Sequence, residues 1–216
     1  MKKLMFGTMS TVILTTTLAL PLTVEAKESN NINNRTVTGA DYQSINQEIG
    51  LTEEIIKKSE PYVRLSKDKV YSLDEKASEV MTDEEIQIVK KRMEIATEFN
   101  KNELQNLVVS GDKVVNKQSK TTALRATSEG INKFEAYYWG WKAWLSKTTV
   151  RKIMNIGGGA ATTYIGGVLG GISGAVAGVI LGGVLAEFVN PYLAQAIYFE
   201  YNYDKRKFTR VLLFNK

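Results

Sequence analysis

Any proton transfer, nucleophilic attack or metal binding in this 216-residue chain has to proceed without histidine or cysteine, because it contains neither. Ser-His-Asp triads, imidazole and thiolate metal sites, a cysteine nucleophile and disulfides are therefore excluded. Glu, Asp, Lys and Tyr could still exchange protons, but no pair of carboxylates sits in a recognisable catalytic setting. The chain reads as a non-enzyme with no cofactor and no metal. Glycines cluster at Gly157-Gly158-Gly159 and Gly166-Gly167, yet no Gly-Lys-Ser/Thr follows and no acidic ribose ligand lies downstream, so a phosphate-cradling loop is a weak reading.

The spacing that carries most information is a glycine row. From Ile153 to Ala186 there are 34 residues without a charge, and 11 of them are Gly. Gly166, Gly170, Gly174, Gly178 and Gly182 recur every fourth residue with Val, Leu and Ile between them. Each Gly in a water-exposed helix costs about 1 kcal/mol relative to Ala. In lipid, unpaired backbone groups enforce helix, and a glycine groove lets a second backbone approach closely. The expectation is a helix or helical hairpin that inserts into a membrane or self-associates through those five glycines. The alternative is the same segment as buried core of a water-soluble domain.

The flanks suit an interface. Trp139, Trp141 and Trp144 fall in KFEAYYWGWKAWLSK, and indole rings favour the boundary between water and hydrocarbon. Ser146 caps a short basic helix in which Arg151 and Lys152 can meet anionic headgroups. The aromatic run also has strand character, with Tyr137, Trp139, Trp141 and Ala143 on one side and Phe134, Ala136 and Tyr138 on the other. After Asn190-Pro191 stops the apolar run, strands are expected near 196–201 and 208–214 around a basic turn.

The elements that must position these groups begin upstream. Thr52 with Glu53 and Glu54 starts a helix that ends before Pro61. Tyr62–Leu65 and Val70–Leu73 predict a small hairpin. Thr82 and Glu85 form a capping box opening a helix to about Leu107, with Ile86, Val89, Met93, Ala96 and Leu104 on one face. Lys90, Lys91, Arg92 and Glu94 are expected mostly on the other. The fold class expected is α+β: a small N-terminal hairpin-plus-helix region, then a C-terminal module of aromatic strand, glycine-rich helix or hairpin, and short C-terminal strands.

Residues 1–26 read as a signal peptide, with Lys2 and Lys3 before an uncharged stretch and Val24-Glu25-Ala26 as the cleavage site. The mature chain is expected to divide into an N-terminal α/β region (27–107), a polar linker (108–130) and a cationic module (131–216). Residues 126–216 carry 10 Lys/Arg against 5 Asp/Glu. Export disfavours nucleic acid as a partner and leaves membrane lipid and self-association.

The hairpin-then-helix order from Pro61 to Leu104 resembles a segment of secreted proteins of Gram-positive bacteria, which implies a compartment and no activity. The order of WGWKAWLS strand, capped basic helix, glycine-rich stretch and basic C-terminal strand resembles secreted, bacteriocin-like proteins of such bacteria, and the glycine row is similar to those of two-peptide bacteriocins. That resemblance implies an extracellular or surface-bound membrane-active protein, acting through the glycine-rich helix. The mature chain is much longer than those peptides and lacks a double-glycine leader. The alternative function is a soluble secreted binding or cell-surface protein.

Overall fold

A computed structural model describes residues 45–117 and 129–214. The expected signal peptide and the 18 residues behind it, 27–44, lie outside the described residues. The fold is α+β, as expected.

In the N-terminal half, local chemistry predicts the elements well. Thr52 accepts a hydrogen bond from the Ile55 amide and opens α1, Glu53–Ser59, with acids in its first turn and Lys57 and Lys58 in its last. Pro61 sits in the 3-10 turn that follows. Strands β1, Val63–Leu65, and β2, Tyr71–Leu73, make the expected hairpin. Helix α2, Asp83–Glu103, starts at the Thr82/Glu85 capping box and buries Val89, Met93, Ala96 and Phe99.

One residue of α2 departs from expectation. Arg92, assigned to the polar face, is 0 % exposed. Helical spacing puts it beside Val89 and Ala96, where an apolar residue would sit if Asp204 did not supply a partner.

The second body of structure is a six-stranded antiparallel meander, ordered β3 to β8. Strands β3, Val108–Ser110, and β4, Lys113–Val115, form a hairpin within the stretch read as a linker. Residues 118–128 of that stretch lie outside the described residues. Strands β5, Lys133–Tyr137, and β6, Gly140–Leu145, then pair through a two-residue turn at Tyr138-Trp139. The aromatic run is thus a hairpin and not one strand, and its sides are reassigned. Gly140 sits where any Cβ would lie 2.1 Å from the Tyr201 carbonyl oxygen, so the neighbouring strand comes too close for another residue. Phe134, Ala136, Trp141 and Ala143 point into the core, while Lys133, Glu135, Lys142 and Trp144 line the outer face.

Three helices cross from β6 to β7 and cover the inner face. Helix α3, Lys147–Ile156, is capped by Ser146. Helices α4, Gly158–Val168, and α5, Gly174–Glu187, pack against each other as a hairpin. The turn between them needs left-handed backbone at Gly170 (φ +89°) and Gly171 (φ +87°), which glycine adopts without strain. Strands β7, Ala196–Asn202, and β8, Lys207–Phe214, close the sheet within a residue of the expected limits.

One face of the charge-free segment is therefore core. Ile153, Ala161, Ile165, Leu169, Val176, Ile180 and Val184 are all fully buried. They join a single apolar cluster that also takes in Ile45, Val89 and Phe99 from the N-terminal half. Among the described residues no helix is long and apolar enough to cross a membrane. At about 1.5 Å per residue, α4 and α5 are each shorter than a bilayer core of roughly 30 Å.

Candidate functional site at the open end of the sheet

The two ends of the meander are built differently. At one end lie the turns of β3–β4, β5–β6 and β7–β8, and the N-terminal half is fastened over them. Arg92 lies in the centre of that junction. Its Nη2 donates to Asp204 Oδ1 at 2.6 Å, and it also donates to the carbonyls of Ile45 and Gln47. Asp204 in turn accepts from the Ile49 and Gly50 amides. Burial pushes the Arg92 pKa down, and the Asp204 carboxylate pushes it back up. Tyr138 from the β5–β6 turn shares a 2.6 Å hydrogen bond with Ser59, and Phe99 meets Tyr203 edge-on. Burial raises the pKa of Tyr138 above its ordinary value.

A shallow groove of about 550 Å³ runs along this junction, past Glu48, Thr52, Glu53 and Asp204. Two of its three carboxylates are paired: Asp204 with Arg92, and Glu53 with Lys205 at 2.6 Å. Among the described residues no group of His, Cys, Asp or Glu could hold a metal ion.

The outer face of the sheet carries an ordered charge and aromatic pattern. Glu135 is nearly buried there, and Lys113 and Lys133 reach it at 2.9 and 2.8 Å. Tyr137 Oη donates to its other oxygen at 2.6 Å. Burial opposes the charged carboxylate, but the hydrogen bonds from Lys133, Tyr137 and Lys113 outweigh it and hold the pKa at about 2. Burial and the Glu135 contact together push the Tyr137 hydroxyl well above its usual range. Trp139 stacks on Tyr137 at 5.1 Å, and Trp144 packs on Tyr198 at 4.9 Å with Lys133 over its ring.

Among the described residues the opposite end of the sheet is the more open one. There the start of α3, the start of β7 and the end of β8 come together, since Leu145 pairs with Ile197 and Ala196 with Phe214. The link from α5 to β7 passes over this end and packs on α3 through its 3-10 turn, Pro191–Leu193. Asn190 accepts from the Tyr192 amide and caps that turn. Val189 is 100 % exposed, Tyr192 87 % and Leu193 69 %, and Phe214 of the adjoining strand is 51 % exposed. Leu212 and Leu213 are exposed beside it. Single apolar residues on a surface are ordinary, but three exposed within five residues of one link make this the most exposed apolar segment among the described residues. Arg151 and Lys152 are exposed on α3, with Lys152 lying 4.4 Å over the Tyr164 ring. The acids at this end are Glu129, which accepts from Thr148 Oγ1, and Glu187.

The residues singled out in the sequence scatter across the structure. The five glycines do not form one surface. Gly166 is buried, with an added Cβ 3.3 Å from the Ile172 carbonyl oxygen, and Gly170 turns the chain against Asn116. Gly174, Gly178 and Gly182 face open space on α5, where an added Cβ meets nothing within 4 Å. Within helices α4 and α5 the glycine with the closest neighbours is Gly183, whose added Cβ would lie 2.9 Å from both Phe199 and Phe208.

The three tryptophans also separate. Trp141 is in the core, stacked on Tyr201 at 5.1 Å, and Trp139 is buried at the closed end. Trp144 is half-buried on the outer face, in register with Tyr198 and Leu212 near the open end. Val189, Tyr192 and Leu193 were missed. Their one signal was an apolar triplet broken by Asn190-Pro191, which reads equally well as a helix stop. No protein-family model, curated protein or solved structure matches the chain.

Proposed function

We propose that this is an exported protein that associates with anionic lipid surfaces through the open end of its sheet, with the glycine-rich segment serving as internal scaffold. The observation that carries this reading is the exposure of Val189, Tyr192 and Leu193 on one outward turn that packs on the cationic helix α3. Burying a Val or Leu side chain is worth about 1.5–3 kcal/mol. A cation near an anionic leaflet adds about 1 kcal/mol. Two aliphatic residues with Arg151 and Lys152 then reach several kcal/mol, enough for reversible docking and far short of permanent insertion. Tyrosine at position 192 suits the headgroup layer, with ring and hydroxyl in different surroundings.

This reading keeps the lipid partner expected from the sequence, together with Arg151, Lys152 and Trp144. It replaces insertion of a glycine-rich helix by contact of a folded tip. The test is co-sedimentation of the mature chain, beginning at Lys27, with phosphatidylglycerol-containing and phosphatidylcholine vesicles. Binding to the former that weakens at high salt is expected. A protein that stays in the supernatant with both at low salt would overturn the proposal.

Burial of Ile165, Val176 and Ile180 by the chain's own sheet favours a second reading, a secreted binding protein with no lipid contact. The same supernatant result is the one it expects.

A further inference from the structure

Strand β8 is the outermost strand of the sheet, and among the described residues nothing pairs with its other edge. A free edge presents a row of unpaired backbone donors and acceptors, and proteins usually guard it with charge, proline, a bulge or short length. At the opposite margin β3 is guarded by length alone, with three residues. The eight-residue β8 is guarded over only half its length. Its irregular pairing opposite Glu200 and Tyr201, where Thr209 is left out of register, lies next to Lys207 and Arg210. Beyond Arg210 the strand runs Val211-Leu212-Leu213-Phe214 in regular pairing, with no charge and no bulge.

We propose that this unguarded half pairs with the same strand of a second copy, antiparallel about a two-fold axis at Leu212. Charge and regularity select that register. Centring the axis on Arg210 sets two guanidinium groups face to face, which is destabilising. Centring it on Val211 draws Thr209 and its bulge into the ladder. Centring it on Leu213 leaves Leu212 to Phe214 alone in the ladder among the described residues. With Leu212 at the axis, all of Arg210 to Phe214 pairs regularly. Val211 then faces Leu213 of the second copy, and Arg210 faces the Phe214 ring, a favourable cation–aromatic contact. A two-fold pair closes on itself and removes the open edge, where a one-directional contact would continue into fibres. It also brings the two open ends close to the axis, pointing in opposite directions along one continuous sheet.

The experiment is sedimentation of the mature chain in lipid-free buffer, so its outcome is independent of vesicle binding. The native chain is expected to show a concentration-dependent dimer. Leu212→Arg and Leu212→Glu each set like charges against each other at the axis and should weaken dimerisation about tenfold or more. Mixing the two variants should restore it, because Arg then faces Glu. Hydrogen exchange gives a second readout: amides within 210–214 should gain protection as the native protein is concentrated. A native chain that is monomeric at every concentration would overturn the proposal. So would a Leu212→Arg dimer of native strength, or a mixture that stays monomeric.

Discussion

The two ends of the sheet show how one set of residue types yields a fastened junction in one place and an exposed surface in another. At the closed end Tyr138, Tyr203, Arg92 and Asp204 are all buried, and Arg92 and Asp204 find one another across 112 residues of chain. At the open end Tyr192, Leu193 and Phe214 are exposed, with cations near them but nothing from the chain laid over them among the described residues. The difference is not composition. The N-terminal half brings a capped helix and a hairpin whose apolar faces match the closed end, and it carries the one cation that Asp204 requires. Among the described residues the open end is reached by the short link from α5 to β7 and by residues 129–132 before β5, where Gly130 lies against Ala196 and Asn132 accepts from the Ser146 amide.

Breaking the closed end should have the largest effect. Asp204→Ala leaves Arg92 buried without its carboxylate and is expected to cost about 3–5 kcal/mol in chemical denaturation. If the loss is under about 1 kcal/mol, the closed end is not held by that pair. Gly183→Leu forces a side chain between Phe199 and Phe208 and should cost about 1–3 kcal/mol or more, read as a lowered melting temperature.

Changes at the open end should instead spare stability and alter binding. The double variant Val189→Asp, Leu193→Asp is expected to lower vesicle affinity more than about tenfold, given about 1.5–3 kcal/mol for each apolar side chain. Its unfolding free energy should stay within about 0.5 kcal/mol of native, as for other exposed positions. A large stability loss would mean that these residues are covered after all.

Acid separates the outer face from both ends. Glu135 titrates at about 2 in the folded chain against an ordinary 4.5, so its charged form stabilises the fold above pH 4.5. That contribution is lost as pH falls through about 2. The stability gap between native protein and Glu135→Gln should therefore narrow over that interval in a pH series of denaturation curves. A gap that stays constant would show that the carboxylate charge contributes nothing. The smallest effect expected is a gain: Gly178→Ala on the open face of α5 should stabilise by about 0.5–1 kcal/mol, since its added Cβ meets nothing.

Much of the fold was legible because it is written locally. The Thr82/Glu85 capping box, the Thr52 cap, Pro61 and the alternation around Asp204–Lys207 each act within a few residues, and each element formed where those signals stand. The misreadings concern partners far away in sequence. Arg92 looks like a surface cation until Asp204 is placed beside it. Tyr138-Trp139 looks like mid-strand until Gly140 is seen pressed against Tyr201. A four-residue glycine spacing cannot distinguish a helix groove from a helix back, and the helical glycine with the closest neighbours, Gly183, lies just outside the row. The open end was the least legible part, because exposure of Val189 and Leu193 depends on what fails to cover them.

The placement of α3, α4 and α5 between two strands that are immediate neighbours also governs the order in which the chain assembles. Strands β6 and β7 touch along their full length, yet everything from Ser146 to Gln195 must be gathered before they can do so. Closing so long a loop is entropically slow, and the helices that shorten it carry glycines which make them poor nuclei on their own. The hairpins β5–β6 and β7–β8 should therefore appear early and separately, and amides at the β6–β7 seam should be the last to gain protection in pulse-labelled refolding. Early protection at that seam would show that the helices fold ahead of the sheet.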